Sequence, residues 1–420
     1  MLQERMVNDI NEYLYTEKQV REMWNRSKPE QISIAQAKCF EAISRKKGKV
    51  AVSFSGGKDS AVVLYLMAET WKMYYEMNGM EKIPPLPVFF ADTTNEFICA
   101  RSYREHFIEW IEQKFGIEID YHDIKPDTNY FKVVDELGLP FVSKKVSRMV
   151  RDCRKTLKRL NLHYTDIVQY MPKHYTQKHK DEMIAAADKL RELGFNDEAV
   201  LVLTKITSAN KISNQHFIPI QYRPLLDNDE FEISEQCCYY LKKTPIKKAQ
   251  KEMGTLLPVT GEMAADSRDR LEAYRKTGCN LFTGERPKSK PLGPMTEQTV
   301  LWFIDKEEIP IMPAYGDLVY DTDNDFYFLT GEQRTGCKLC GFGLMYDKDR
   351  FIRLQTTEPK VIQFAFTSRE NGGLGYRELC QFLNDKCKMD IGIPYVEDGY
   401  YERRATAYRE KKEGEVLSSI

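Results

Sequence analysis

The sequence predicts an α/β fold built on a doubly wound parallel sheet, and the pattern of its first third carries this prediction. Residues 48–54 form a short apolar run that leads into a glycine turn, and residues 84–90 and 116–121 form two further runs. Residues 60–75 and 102–115, which separate these runs, carry apolar side chains at helical spacing. Short apolar strands that alternate with helices are typical of parallel sheets covered by helices.

The rest of the chain divides by composition into segments around this core. Residues 1–47 are charged and helical in pattern, and residues 48–140 hold the alternating strands and helices of a nucleotide-binding core. Residues 141–225 interrupt that rhythm and are interpreted as a basic, helical insertion. Residues 226–345 are predicted to complete the core and contain a cysteine-rich segment, and residues 346–420 are predicted to form a helical C-terminal tail.

The length, net charge and cysteine content of the chain, together with its hydropathy pattern, indicate which class of protein to expect. The chain has 420 residues, a formal net charge of -1 and ten cysteines. Its first residues show no secretory signal pattern, and no stretch approaches the roughly 20 apolar residues that a membrane helix needs. We therefore expect a cytoplasmic protein without a membrane partner, in which clustered cysteines bind metal or do redox chemistry.

The strongest motif follows the first predicted strand, where residues 53–60 read Ser-Phe-Ser-Gly-Gly-Lys-Asp-Ser. Glycines allow backbone N–H groups to approach phosphate oxygens, and the start of the next helix attracts anions. A plain glycine turn is the alternative, but it does not explain the hydroxyls, the lysine and the acid together. The residues predicted to bind nucleotide phosphates are Ser53, Ser55, Gly56, Gly57, Lys58, Asp59 and Ser60. Among them, Lys58 and Asp59 are the predicted catalytic residues, with Asp59 as a ligand for Mg²⁺.

This string resembles the PP-loop of the N-type ATP pyrophosphatases, whose pattern is Ser-Gly-Gly-x-Asp-Ser. It differs from a Walker loop, which has Gly-Lys-Ser/Thr after four intervening residues. The resemblance implies an adenine nucleotide alpha hydrolase-like fold that binds ATP and cleaves it between the α and β phosphates, usually to adenylate an acceptor.

Further motifs are similar to the phosphoadenosine phosphosulfate (PAPS) reductase branch. Residues 92–97 resemble its Asp-Thr-Gly-x-Glu-Phe motif, and residues 261–270 resemble Gly-x-Arg-Ala-x-Glu-Ser-x-x-Arg, with Met263 in place of the usual arginine. Residues 291–309 resemble the Pro-Leu…Trp-Thr-Glu segment that precedes the last cysteines of that branch. The resemblance implies further nucleotide-site residues, namely Asp92, Thr93, Glu96, Gly261, Ser267 and Arg270.

Two pairs of cysteines form a candidate metal site. Cys237-Cys238 and Cys337-x-x-Cys340 are 98 residues apart. Four thiolates in such pairs suit a [4Fe–4S] cluster or Zn²⁺, and ligand softness does not choose between them. Four ordinary buried cysteines are the third interpretation. The set resembles that of iron–sulfur sulfonucleotide reductases and DNA-phosphorothioation sulfurtransferases, which favours the cluster.

Two departures from the reductases shape the functional hypothesis. In those reductases the PP-loop sequence is generally not preserved, and the chain ends in Glu-Cys-Gly-x-His. This chain keeps the PP-loop sequence and has no cysteine after Cys387. The first hypothesis is therefore an ATP pyrophosphatase that adenylates an acceptor, which then receives sulfur from a donor or partner protein. The alternatives are a PAPS or adenosine phosphosulfate reductase, and a module that senses ATP without turning it over.

A basic tract lies in the predicted insertion. Residues 144–180 contain eleven Lys or Arg and two acids. Arg148, Arg151, Lys155 and Lys158 recur at helical spacing, whereas Val146, Val150, Cys153 and Leu157 lie on the opposite side. This pattern predicts either a solvated helix face or a contact with nucleic acid, with Tyr164, Tyr170 and Tyr175 as stacking candidates.

Overall fold

The computed structural model describes residues 13–213, 216–228, 230–254 and 256–396. Residues 1–12 of the predicted N-terminal segment and residues 397–420 of the predicted tail lie outside the described residues. The strands are β1 Val50–Ser53, β2 Leu86–Ala91, β3 Ile119–Ile124, β4 Leu257–Val259, β5 Asn280–Leu281, β6 Lys288–Ser289, β7 Leu318–Asp321 and β8 Phe326–Leu329. The α-helices are α1 Glu17–Trp24, α2 Lys28–Lys46, α3 Lys58–Met77, α4 Ala100–Phe115, α5 Tyr130–Leu137, α6 Lys144–Leu160, α7 Tyr164–Ile167, α8 Lys180–Glu192, α9 Asp197–Thr204, α10 Thr244–Glu252, α11 Arg268–Thr277, α12 Glu297–Lys306, α13 Arg350–Thr357, α14 Pro359–Phe366 and α15 Tyr376–Cys387.

These elements form two compact units. Unit 1 consists of the described residues of Met1–Asp127 and Lys242–Cys337, and unit 2 of those of Thr128–Leu241 and Lys338–Ile420. The chain therefore leaves unit 1 after β3, returns to it before α10, and leaves it again at Cys337. Cys337 and Cys340, the two ends of the Cys-x-x-Cys motif, fall on opposite sides of that last boundary.

Unit 1 contains the predicted parallel sheet. Its strand order is β3-β2-β1-β4-β6-β5, and only the pairing of β5 with β6 is antiparallel among the described strands of this sheet. Val52 of β1 pairs with Val88 of β2 on one side and with Val259 of β4 on the other. The order of the strands reverses at β1, which creates the switch point where open α/β sheets bind ligands. The predicted α/β fold with a parallel sheet is confirmed.

The predicted elements of the core occur close to their expected positions. β3 begins three residues later than the pattern suggested, because Gly116 adopts φ 63 and caps the end of α4. The helix α3 is buried on all sides from Ser60 to Ala68, since α2, α4 and α12 pack around it. This central position fixes the start of α3 beneath the loop that follows β1.

Unit 2 is mainly helical, with two isolated parallel bridges, Leu139 to Ile233 and Phe141 to Gly341. Its core contains an aromatic cluster formed by Phe141, Phe351, Phe366 and Tyr376. The apolar side of α6 is buried as the sequence predicted, with Val146, Val150, Cys153 and Leu157 all enclosed. Across both units, none of the described helices combines the length and apolar character that crossing a bilayer requires.

Candidate nucleotide site

The phosphate loop connects β1 to α3 at the switch point of the sheet. Gly57 is the extended N-cap residue of α3, so the helix begins at Lys58 with its first N–H groups directed at the loop. Gly56 adopts φ 77, and a Cβ atom there would lie 2.9 Å from Met312 Cε. The positive φ angle favours glycine at position 56, whereas the Met312 methyl is the end of a flexible side chain that can move aside.

Hydroxyl groups close the loop on itself. The Ser55 N–H donates to Ser60 Oγ at 3.1 Å, and Ser60 Oγ donates to the Gly57 carbonyl at 2.7 Å. Ser60 is buried and Ser55 is exposed, while Ser53 is half-buried at the end of β1. The Ser60 hydroxyl shapes the loop, and the exposed Ser55 hydroxyl contributes by donating to Ser60 Oγ at 3.1 Å and accepting from the Gly57 N–H at 3.4 Å.

Lys58 is the buried cation of the site. Its Nζ lies 3.0 Å from Glu297 Oε1 and 3.4 Å from Asp59 Oδ1, and its backbone N–H donates to the Tyr315 hydroxyl at 3.0 Å. Burial by itself lowers the pKa of Lys58, but Asp59, Tyr315 and Glu297 outweigh that effect and raise the pKa above its ordinary value. Lys58 is therefore positively charged at neutral pH, and its main partner, Glu297, is an exposed side chain that an anion can replace.

Asp59 is the acidic residue that follows Lys58 in the first turn of α3. Its Oδ1 is enclosed and accepts no hydrogen bond from the described residues. Burial raises the pKa of the Asp59 carboxyl, the Lys58 ammonium lowers it, and Glu297 raises it further, so that the pKa lies above its ordinary value. This enclosed oxygen has only the long contact with Lys58 at 3.4 Å among the described residues. It therefore suits a cation such as Mg²⁺, whose preferred ligands are carboxylates, phosphates and water.

The segment after β4 packs directly on the loop. A Cβ atom at Gly261 would lie 2.7 Å from the Asp59 carbonyl oxygen, so glycine there allows the first turn of α3 to approach. Ser267 caps α11 by accepting from the Arg270 N–H at 3.3 Å. The exposed Arg270 guanidinium pairs with Asp266 and also lowers the pKa of Asp59. Gly261 and Arg270 are thus brought to the loop, while Ser267 serves the helix.

The predicted residues after β2 form a compact turn. Asp92 Oδ1 accepts from the Thr94 N–H at 2.8 Å, and the Thr93 hydroxyl donates to Glu96 Oε1 at 2.5 Å. The same hydroxyl lies 3.4 Å from Cys337 Sγ. Thr93 is fully buried, so its hydroxyl fixes Glu96 and contacts Cys337 within unit 1.

Several residues of the site escaped the sequence analysis. Tyr315 and Thr335 are buried and hydrogen-bonded to each other at 2.9 Å, with the Tyr315 hydroxyl against the loop at Gly57. Thr260, next to Gly261, has a buried hydroxyl without a partner among the described residues. Arg104 of α4 is buried beside Gly56. Glu297, the partner of Lys58, lay in the segment 291–309 that resembles the reductase branch, and Thr335 lay beside the Cys-x-x-Cys motif, but neither was assigned to the site.

The four predicted metal ligands belong to different units. Cys237, Cys238 and Cys340 are in unit 2, and Cys337 is in unit 1. In unit 2 the hydroxyls of Tyr130 and Tyr376 both donate to the Leu339 carbonyl, at 3.0 and 2.8 Å, which holds the turn before Cys340. Burial raises the pKa of both phenols, and Cys237 and Cys340 add to the rise, which places these two thiols near the same tyrosine pair.

No three His, Cys, Asp or Glu side chains are grouped to hold a metal ion among the residues that the structure describes. The cysteine cluster, which was inferred from spacing and resemblance, stays a prediction.

Comparison with known proteins agrees with the motifs of the site. Residues 49–163 match the family model of the phosphoadenosine phosphosulfate reductase domain, a stretch that includes the phosphate loop, the turn after β2 and also α6. No curated protein matches the sequence.

Among solved structures, the chain is similar to phosphoadenylyl-sulfate (PAPS) reductase from Candida auris in a phosphate complex. The TM-score is 0.30 at 10% identity, with 71% of this chain and 90% of that chain covered. A likeness at this level carries no argument about fold or activity. The family model is what agrees with the motifs, and its match is confined to residues 49–163.

Proposed function

We propose that this chain is a cytoplasmic enzyme that binds ATP at the phosphate loop and transfers its adenylyl group to an acceptor, releasing pyrophosphate. The observation that carries the proposal is the pair Lys58 and Asp59. Lys58 is a buried cation held by the exposed Glu297, and Asp59 has an enclosed oxygen that faces Lys58 at 3.4 Å and accepts no hydrogen bond from the described residues. Such a pair at a helix N-terminus is suited to a nucleotide polyphosphate with its metal ion.

The chemistry requires positioning more than covalent participation by the protein. An oxygen of the acceptor attacks the α-phosphorus, and the bond from that phosphorus to the oxygen bridging the β-phosphate breaks. The electron pair leaves with pyrophosphate. The Lys58 ammonium and the N–H groups at the start of α3 lie where charge accumulates on the departing phosphates, so they would stabilise the transition state.

Asp59 is the residue that would hold Mg²⁺, with the remaining ligands supplied by phosphates and water. The ion would neutralise part of the charge on the phosphates. Because Lys58 lies 3.4 Å from the same carboxylate oxygen, we expect Lys58 to move from Asp59 and Glu297 to the phosphates when the nucleotide binds.

We further propose that the adenylated acceptor receives sulfur from a donor or partner protein, as the resemblance to sulfurtransferases of DNA phosphorothioation implies. A [4Fe–4S] cluster on Cys237, Cys238, Cys337 and Cys340 belongs to this proposal, and zinc is its alternative. No step above depends on either. Iron and sulfide analysis of anaerobically purified protein tests the cluster, with about four of each per chain expected; stoichiometric zinc without iron would contradict it.

The decisive experiment measures pyrophosphate release from ATP and Mg²⁺ by the full chain, with candidate acceptors added. Labelled ATP should yield pyrophosphate and adenylate, and PAPS with a thiol reductant should yield no sulfite. Sulfite from PAPS with no pyrophosphate from ATP would establish the reductase alternative. Tight ATP binding without release under any condition would favour the sensing module.

A further inference from the structure

We propose that Arg104 is a positioning residue that supplies buried positive charge to the phosphates of the bound nucleotide from behind the phosphate loop. The inference rests on the proposed nucleotide binding. It adds a residue that none of the motifs contains and that acts through the loop.

Arg104 is placed against the loop by α4. Its Cγ and Cδ lie 3.6 and 3.8 Å from the position that a Cβ atom of Gly56 would occupy. The guanidinium carbon is two covalent bonds beyond Cδ and stacks on the Phe90 ring. Only 4% of Arg104 is exposed, which means that solvent barely screens this charge.

The Arg104 guanidinium forms no ion pair with an acid among the described residues. Its carbon lies 3.4 Å from the centre of the Phe90 ring, and Nε donates to the Tyr121 hydroxyl at 3.2 Å. Nη1 is enclosed and has no hydrogen-bond partner among the described residues. Burial and Asp92 raise the pKa of Asp123 and Arg104 lowers it, yet the described structure contains no ion pair between Arg104 and Asp123.

A buried, unpaired arginine is costly, because guanidinium does not lose its proton and its desolvation must be offset. A methionine would fill a similar volume between α4 and Phe90 without that cost. The arrangement makes sense if a bound anion supplies the missing negative charge. The loop that carries Gly56, with its N–H groups at the start of α3, is the anion site beside it.

The test measures how the affinity for ligands of different charge depends on the charge of the side chain at position 104. Calorimetric titrations of wild type, R104M, R104Q and R104K use adenosine, ADP, ATP and inorganic pyrophosphate at fixed ionic strength. R104M and R104Q should bind ATP and pyrophosphate about tenfold more weakly or worse, and the loss should grow from ADP to ATP. Adenosine affinity should change by less than about twofold, and R104K should retain most of the phosphate affinity.

The control is R101M, which removes an arginine from the exposed side of the same helix, where it pairs with Glu105 at 3.0 Å. It should leave all four affinities unchanged. Equal weakening of adenosine and pyrophosphate in folded R104M or R104Q would overturn the inference, as would unchanged pyrophosphate affinity. If both neutral variants fail to fold, loss of pyrophosphate binding by a folded R104K would overturn it instead. Wild-type protein that binds neither ATP nor pyrophosphate would remove the proposed function itself, which is a distinguishable result.

Discussion

The phosphate loop in unit 1 and the basic helix α6 in unit 2 use buried charge in opposite ways. In α6 the cations with little exposure form ion pairs: the half-buried Arg151 lies 2.9 Å from Glu235, and the buried Arg154 lies 3.1 Å from Glu232. Beside the loop, Lys58 is paired with Glu297, whereas Arg104 Nη1 is enclosed without a hydrogen-bond partner among the described residues. Because buried polar groups are normally satisfied, charge that is paired indicates a structural role, and charge that is left unpaired indicates a place for a ligand.

Two buried arginines, one in each unit, show this difference most clearly. Arg154 of α6 is 5% exposed and Arg104 is 4% exposed. Arg154 donates to the carbonyls of Leu225 at 2.8 Å and Phe231 at 2.6 Å, and it pairs with Glu232 at 3.1 Å. It therefore connects α6 to the segment that follows the helix Ile220–Asp227. Arg104, with a similar burial, makes one hydrogen bond and one ring contact in the described structure.

The largest expected effect on stability follows from this contrast. Replacing Arg154 with methionine leaves two carbonyl oxygens and Glu232 without their donor, so we expect the free energy of unfolding to fall by about 3 kcal/mol. R104M should cost less than about 1 kcal/mol without ligand, because it removes an uncompensated charge. Urea denaturation of both variants measures the difference. Equal losses would show that the two arginines play the same structural role.

The next effect concerns activity at the loop. Replacing Lys58 with alanine removes the buried ammonium, and we expect pyrophosphate release to slow about a hundredfold, equivalent to ~2.7 kcal/mol of transition-state stabilisation. The matched control is Lys72→Ala on the same helix, whose ammonium lies 3.9 Å from Glu76. It should keep wild-type turnover. A K58A enzyme as fast as K72A would contradict the catalytic assignment.

Features that depend on neighbouring residues in the sequence could be predicted, whereas features that depend on residues far apart in the chain could not. The loop, β1 and α3 were predictable, because Gly56 and Gly57 mark a turn between an apolar run and a helix. The cap at Gly116 was not, and it moved the start of β3. Arg104 looked like an ordinary cation of an amphipathic helix, since its burial depends on Gly56 and Phe90, which are distant in sequence. Residues 338–396 return to unit 2 through contacts that no local pattern records.

The charge pattern of α6 was read correctly as amphipathic but gave no hint of its pairing. Glu232 and Glu235, which meet Arg154, Lys158 and Arg151, lie more than 70 residues later in the chain. Tyr175, a predicted stacking residue, packs against Phe217 and accepts from Arg223. Sequence shows which residues are charged, whereas the fold decides which charges are already satisfied.

A pH effect of intermediate size follows from Asp59. Its pKa is raised by burial, so the carboxyl holds its proton to a higher pH than an ordinary aspartate. Metal binding needs the ionised form, and activity supported by Mg²⁺ should therefore fall as pH falls through this raised pKa. Folding favours the protonated carboxyl relative to an ordinary aspartate, so this contribution of Asp59 to stability is present at low pH and is lost as pH rises through the raised pKa. Pyrophosphate release measured against pH tests this, and D59N should lose both the activity and its acid limb.

The smallest expected effect concerns nucleic acid, which was one of the two interpretations of the basic tract, beside a solvated helix face. Four of the basic side chains form ion pairs with glutamates within unit 2, which reduces the charge that they can offer to a nucleic acid. They are Arg148, Arg151, Arg154 and Lys158. Lys144, Lys145 and Lys155 are exposed and make no ion pair among the described residues. If α6 follows a phosphate backbone, these three lysines are the ones that release counterions on binding.

Reversing Lys144, Lys145 and Lys155 to glutamate should weaken binding to a DNA or RNA duplex several-fold and reduce the salt slope of log K by roughly three. ATP affinity should not change, since the phosphate loop belongs to the other unit. Reversing three exposed lysines elsewhere, Lys82, Lys306 and Lys386, provides a control of equal net charge. Equal weakening in both triple variants would mean that net charge alone governs binding. Wild-type protein without any salt-sensitive binding would make α6 a structural helix, and a small-molecule acceptor would then be the better hypothesis.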